Sequence, residues 1–105
     1  MAGGIGSRFW PLSKKEMPKQ FLDILGVGET LIQQTFRRLA LICPQENIFI
    51  ATNNEYINLC KDQISQISED NILCEPVMRN TAPCIAYASF KIHSINSEAK
   101  MIVAP

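Results

Sequence analysis

The chain has 105 residues, 47% of them hydrophobic and 19% charged, which suits one small packed domain and not a disordered segment. Ten Lys and Arg balance ten Asp and Glu, so nothing in the charge suggests a basic face for nucleic acid or an anionic membrane. No apolar run approaches the ~18 residues of a membrane span, and the start lacks the basic-then-apolar pattern of a secretory signal; a cytoplasmic protein is expected.

The first stretch, "MAGGIGSRFWPLSKKEMPKQF" over residues 1–21, has little helical or strand periodicity and reads as a long loop. A loop of this length inside a compact domain is functional or disordered. Phe9, Trp10, Leu12, Phe21 and Leu22 argue against disorder, because such side chains call for burial. Gly3, Gly4 and Gly6 let backbone N–H groups approach an anion closely. Ser7 adds a hydroxyl, and Arg8 a rigid fork of donors that matches phosphate. Lys14, Lys15 and Lys19 supply mobile positive charge, and Pro18 stiffens the chain just before Lys19. Together these groups make a polyphosphate site. No Gly-Lys-Ser/Thr follows, so the loop is no P-loop, and "GGIGSR" lacks the third glycine of a dinucleotide fingerprint.

Regular structure is expected next. Thr30 with Gln33 forms a capping-box pattern, and Ile32, Phe36, Leu39 and Cys43 recur at helical spacing up to Pro44. "NIFIAT", 47–52, reads as a buried strand. Asn53 or Asn54 can cap a second helix, striped by Ile57, Cys60, Ile64 and Ile67. "NILCEP", 71–76, reads as another strand. "TAPCIAYASFKIHSI", 81–95, is a third helix with Pro83 in its first turn; Ile85, Ala88 and Ile92 share one face, and Ala82, Ala86 and Ser89 make a small-residue face for close packing. "MIVAP", 101–105, reads as a third strand. Alternating strands and helices predict an α/β fold, a Rossmann-like parallel sheet with helices on both faces. A phosphate-binding loop usually follows a strand. The expectation is therefore a partial domain over 1–105, its first strand missing and the chain truncated at both ends.

Cys43, Cys60, Cys74 and Cys84 form no Cys-x-x-Cys pair and are expected as reduced thiols, mostly buried. The single histidine, His93, is expected at the surface near a helix end, with no motif placing it beside a nucleophile.

Two blocks carry a resemblance. "AGGIGSRFWPLSKKEMPKQF" resembles the signature of the sugar-phosphate nucleotidyltransferases, which runs Gly-x-Gly-x-Arg, Pro-Leu, Pro-Lys. "EPVMRNTAP", 75–83, is similar to the Glu-Pro-x-x-Arg-Asn-Thr-Ala-Pro motif of the mannose-1-phosphate guanylyltransferase branch. The resemblance implies an enzyme that joins GTP and mannose 1-phosphate into GDP-mannose and pyrophosphate, with Mg2+ as cofactor. It implies nucleotide-binding roles for Ala2, Gly3, Gly4, Gly6 and Ser7, and catalytic roles for Arg8 on the β- and γ-phosphates and Lys19 near the α-phosphate. Arg79, Asn80 and Thr81 would hold the guanosine portion, with Glu75 orienting their turn. From the residues alone a structural turn explains most of the second block with no ligand, Asn80 or Thr81 being the helix cap. The family's third strand continues from Val-Ala-Pro into Ser-Asp-His, so the metal-binding aspartate is expected beyond Pro105. Other readings stay open: an inactive nucleotide-binding regulatory relative, a nonfunctional gene fragment, or a nucleotidyltransferase for another NTP. A homo-oligomer is compatible with all of them.

Overall fold

Thr30 begins the first helix as its side chain allows. Its hydroxyl accepts from the Gln33 N–H, and the Gln33 side chain accepts from the Thr30 N–H at 2.9 Å, which completes the capping box. The computed structural model describes residues 1–4, 6–76 and 80–104. Its regular elements are α1 (Leu31–Leu39), β1 (Ile50–Thr52), α2 (Ile57–Gln63), β2 (Ile72–Cys74) and α3 (Thr81–Ile95). β1 and β2 pair in parallel, Ile50 with Ile72 and Thr52 with Cys74. The α/β class expected from the sequence is therefore present.

Element ends differ from expectation for local reasons. α1 stops at Leu39, and the Leu41 and Ile42 N–H groups turn to the Arg38 and Leu39 carbonyls. Pro44 disfavours a helical Cys43, so the last turn tightens before it. Gln45–Asn47 then forms a 3-10 turn, which delays β1 to Ile50. The Asn71 side-chain amide donates to the Glu46 and Ile48 carbonyls at 2.7 and 3.0 Å, taking acceptors that a longer ladder would use. α2 is preceded by a 3-10 turn over Asn54–Tyr56 and ends at Gln63.

Residues 101–104 do not form the expected third strand, and Pro105 lies outside the described residues. Their nearest backbone partner is Met1, whose amino group donates to the Ala104 carbonyl at 3.0 Å. On its other side the same segment is tied to β1: the Ala2 N–H donates to the Ala51 carbonyl at 2.8 Å, and the Thr52 hydroxyl to the Ala2 carbonyl. The glycine loop then leads the chain away, Gly4 at φ 107°. A ladder needs several successive backbone partners, and the bond between Met1 and Ala104 does not make one.

The core gathers Ala2, Phe21, Ile32, Phe36, Ile48, Ile50, Tyr56, Cys60 and Ile64. It joins the opening segment, α1, β1 and α2 in one cluster, so the loop rests on the most buried part of the fold. On α3, Cys84 is buried, whereas Ala82 and Ala86 are exposed; the small-residue face does not pack closely as expected. His93 is exposed near the end of α3, as expected. No helix is long and apolar enough to cross a membrane among the described residues.

All four cysteines are free thiols, Cys60 and Cys84 buried and Cys43 and Cys74 half-buried. Burial pushes the Cys60 and Cys84 thiols up to about 11. A thiol whose pKa is higher folded than unfolded favours the fold below the unfolded value. That contribution is expected to decline as pH rises from about 9 towards about 11. Iodoacetamide at pH 8 should therefore modify Cys43 and Cys74 well before Cys60 and Cys84. Equal rates at all four, read by peptide mass spectrometry, would place the two buried thiols at the surface.

Candidate functional site

The opening loop is folded, but not in the way its apolar content suggests. Phe21 is buried against Tyr56, ring centroids 5.8 Å apart. Trp10 and Leu12 remain 76% and 67% exposed, and Phe9 37%. Backbone bonds hold the loop instead. Gly6 precedes a 3-10 turn over Ser7–Phe9, and the Phe9 carbonyl accepts from the Leu12 and Ser13 N–H groups. Lys14 and Met17 exchange both backbone bonds. The Tyr56 hydroxyl donates to the Lys15 carbonyl at 2.7 Å, fastening the far end of the loop to the core. Burial, with Glu55 nearby, raises the Tyr56 pKa above its usual value, so this phenol stays a donor.

Gly4 and Gly6 sit at φ 107° and 58°, a region that ordinary residues avoid. A Cβ on Gly6 would come 2.5 Å from the Ser13 hydroxyl, and Ser13 is buried. Gly3 faces the Tyr56 ring, where a Cβ would be 3.9 Å away. Its carbonyl accepts from the Gln20 side chain at 2.8 Å, and the Gln20 Oε1 is buried with no partner among the described residues. Pro18 is fully buried, and Lys19 follows it at the start of a 3-10 turn over Lys19–Phe21. The buried ring fixes the backbone from which Lys19 projects. The Lys19 ammonium lies over the Phe9 ring, 5.6 Å from its centroid.

These residues meet at one cleft of about 1010 Å³. Gly3, Gly4, Gly6, Ser7, Arg8 and Lys19 line its end at the opening loop, with Ala2, Phe9 and Gln20; residues of α1, both strands, α3 and 99–104 line the remainder, Arg38 and Lys100 among them. Exposed Arg8 and half-buried Lys19 make this end cationic. Backbone freedom, a hydroxyl and two cations on one wall suit an anion with several oxygens.

The described residues of the second block are not part of that wall. Glu75 follows β2, its N–H bonded to the Thr52 carbonyl at 2.8 Å, and its carboxylate lies beside the Cys84 thiol of α3. It thus ties the strand end to the helix start. Asn80, one of the two residues expected as cap, occupies the N-cap position of α3 but makes no side-chain cap bond. Its φ of 84° with ψ of −178° is a conformation that costs a non-glycine residue about 1–3 kcal/mol. Thr81 is exposed in the first turn. Arg79 lies outside the described residues. Asn80, Thr81 and Glu75 do not line the cleft.

Sequence reasoning did not single out Phe9, Ser13, Gln20 or Tyr56 as parts of the site. Gln20 had a signal, being next to Lys19 in the motif; the other three act through contacts across the loop that no spacing reveals. Among the described residues no three His, Cys, Asp or Glu side chains converge to hold a metal ion. Among the described residues no carboxylate lines the cleft and its charged side chains are cations, which does not fit Mg2+.

The model of the nucleotidyl transferase family matches residues 1–105. The chain is 46% identical over 92 residues to mannose-1-phosphate guanylyltransferase RfbM of Salmonella typhimurium, covering 86% of this chain and 19% of the relative. It is 40% identical over 105 residues to a mannose-1-phosphate guanylyltransferase of Escherichia coli, covering 98% and 22%. It is 38% identical over 107 residues to the alginate biosynthesis protein AlgA of Pseudomonas aeruginosa, covering 100% and 22%. The chain thus spans about a fifth of the length of these relatives.

Proposed function

This chain belongs to the nucleotidyl transferase family, and from that premise we propose that it is the GTP-binding part of a mannose-1-phosphate guanylyltransferase. The observation that carries the proposal is the shared wall of Gly3, Gly4, Gly6, Ser7, Arg8 and Lys19. Two relatives that cover most of this chain carry that enzyme's name, which supports the choice of substrates. We propose Mg2+ as the cofactor of the reaction, although the groups of this cleft are not ones that would hold it.

In the proposed reaction a phosphate oxygen of mannose 1-phosphate attacks the α-phosphorus of GTP. The bond from that phosphorus to the α–β bridging oxygen breaks, and pyrophosphate leaves. The nucleophile is already an oxyanion, so no serine, cysteine or histidine has to surrender a proton. The work left to this chain is positioning and charge stabilisation. The glycine-loop N–H groups would receive the triphosphate, Arg8 the departing β- and γ-phosphates, and Lys19 the α-phosphate. Asn80, Thr81 and Arg79, with Glu75 orienting their turn, are proposed for the guanosine portion on the resemblance of their motif, since Glu75, Asn80 and Thr81 do not line the cleft.

Formation of GDP-mannose from GTP, mannose 1-phosphate and Mg2+ tests the proposal, using the protein expressed with its native flanking sequence. Product with GTP and much less with UTP or dTTP is the expected result. Nucleotide binding without product would make the protein a binding module instead. Within this scheme Arg8→Ala should weaken GTP binding about 10–100-fold, the size of one charged hydrogen-bonding group, and lower turnover as well. Arg8 would meet the triphosphate before and during reaction, so both parameters should move. Parental affinity for GTP in that variant, measured by calorimetry, would remove Arg8 from the site.

A further inference from the structure

We propose that Phe9 is a positioning residue for Lys19, holding its ammonium over an aromatic face until a phosphate takes it. The inference rests on the proposed role of Lys19 at the α-phosphate. A lysine is a compact charge on a flexible four-carbon stem, so a fixed backbone alone does not place its head. Pro18 fixes where the side chain starts. The head lies 5.6 Å from the Phe9 ring centroid, within the range of a cation–π contact.

The backbone that carries the ring is anchored. The Phe9 N–H donates to the Gly6 carbonyl at 2.9 Å, and the Phe9 carbonyl accepts two N–H groups. Both side chains line the cleft. Among the described residues no carboxylate lies within ion-pair distance of Lys19. That choice of partner matters chemically. A carboxylate would neutralise the lysine and compete with the incoming phosphate. An aromatic face attracts the cation through its quadrupole and leaves the full charge available. It also explains why Phe9 stays 37% exposed rather than joining the core: its outer surface is the platform.

The test is a set of variants in the protein with its native flanking sequence, assayed for nucleotide transfer. Phe9→Leu keeps an apolar side chain and removes the aromatic face. It should lower kcat about 2–5-fold, the value of one partly exposed cation–π contact, with KM for GTP near the parental value. Phe9→Tyr, which restores a face, should recover the loss. In a Lys19→Ala background the Phe9→Leu change should have no further effect. The same loss in both backgrounds, or parental kcat in Phe9→Leu, would overturn the positioning role. Parental turnover in Lys19→Ala alone would instead overturn the reading on which it rests.

Discussion

Lys19→Ala is expected to lower turnover about 100- to 1,000-fold, the cost of removing one pre-positioned charge-stabilising group, while KM for GTP changes little. A group that interacts more strongly with the transition state than with bound substrate lowers kcat when it is lost. Lys19 is arranged for that. Its backbone follows buried Pro18 and opens the Lys19–Phe21 turn, whose Phe21 N–H donates to the Pro18 carbonyl at 2.9 Å. Negative charge rises on the α-phosphate oxygens as both the incoming and leaving oxygens are partly bonded. A cation placed in advance needs no reorganisation at that moment. Steady-state kinetics on the purified variant, with folding checked by circular dichroism, gives the answer. A fall of less than threefold would take Lys19 out of the chemistry and leave Arg8 and the glycine loop as a binding surface.

The contrast with Arg8 separates two kinds of cation. Arg8 is exposed on the Ser7–Phe9 turn, and its variant should affect affinity as well as turnover. If both variants altered only KM for GTP, the loop would be a nucleotide clamp and the transfer chemistry would lie on other parts of the protein.

Local rules made much of the fold legible. The Thr30 and Gln33 pair, the limits of α3 and the parallel strands all follow from short-range patterns, because capping and periodicity act within a few residues. The strand read at 101–104 did not form. An apolar run states only a wish to be buried, and ladder formation depends on the partner that the rest of the chain presents. For the site, the sequence supplied the donors: glycines, Ser7, Arg8 and Lys19. It did not supply their supports. Tyr56 lies 41 residues from the Lys15 carbonyl it binds. Ser13 sits beneath Gly6 only because the intervening turn doubles back. Trp10 and Leu12 mislead in the opposite direction, since backbone bonds secure the loop without burying them. Asn80 shows another limit: residue type favoured a helix cap, whereas its backbone adopts a conformation in which its side chain makes no cap bond.

Gly6→Ala is expected to destabilise the protein by about 2–4 kcal/mol, combining a left-handed backbone with an overpacked contact. Gly6 lies at φ 58° and ψ 37°, which an alanine adopts at some cost. Its new methyl would also stand 2.5 Å from the Ser13 Oγ and 3.3 Å from the Ser13 Cβ. Ser13 cannot easily retreat. It is 2% exposed, and its N–H donates to the Phe9 carbonyl at 3.0 Å. Gly4→Ala is the natural comparison, because Gly4 also has a positive φ, 107°, but a Cβ there meets nothing within 4 Å. Gly4→Ala should therefore show the conformational cost without the clash. Ser13→Ala in the Gly6→Ala background should return part of the loss by removing the hydroxyl, the closer of the two atoms, while leaving the Cβ at 3.3 Å. Urea denaturation of the four proteins measures these differences. The loop carries Arg8 at one end of this contact and leads to Lys19, so the displaced turn should also weaken tripolyphosphate binding in Gly6→Ala. Equal stability of Gly6→Ala and Gly4→Ala would mean that Ser13 gives way at little cost and that the loop is not held in the geometry described.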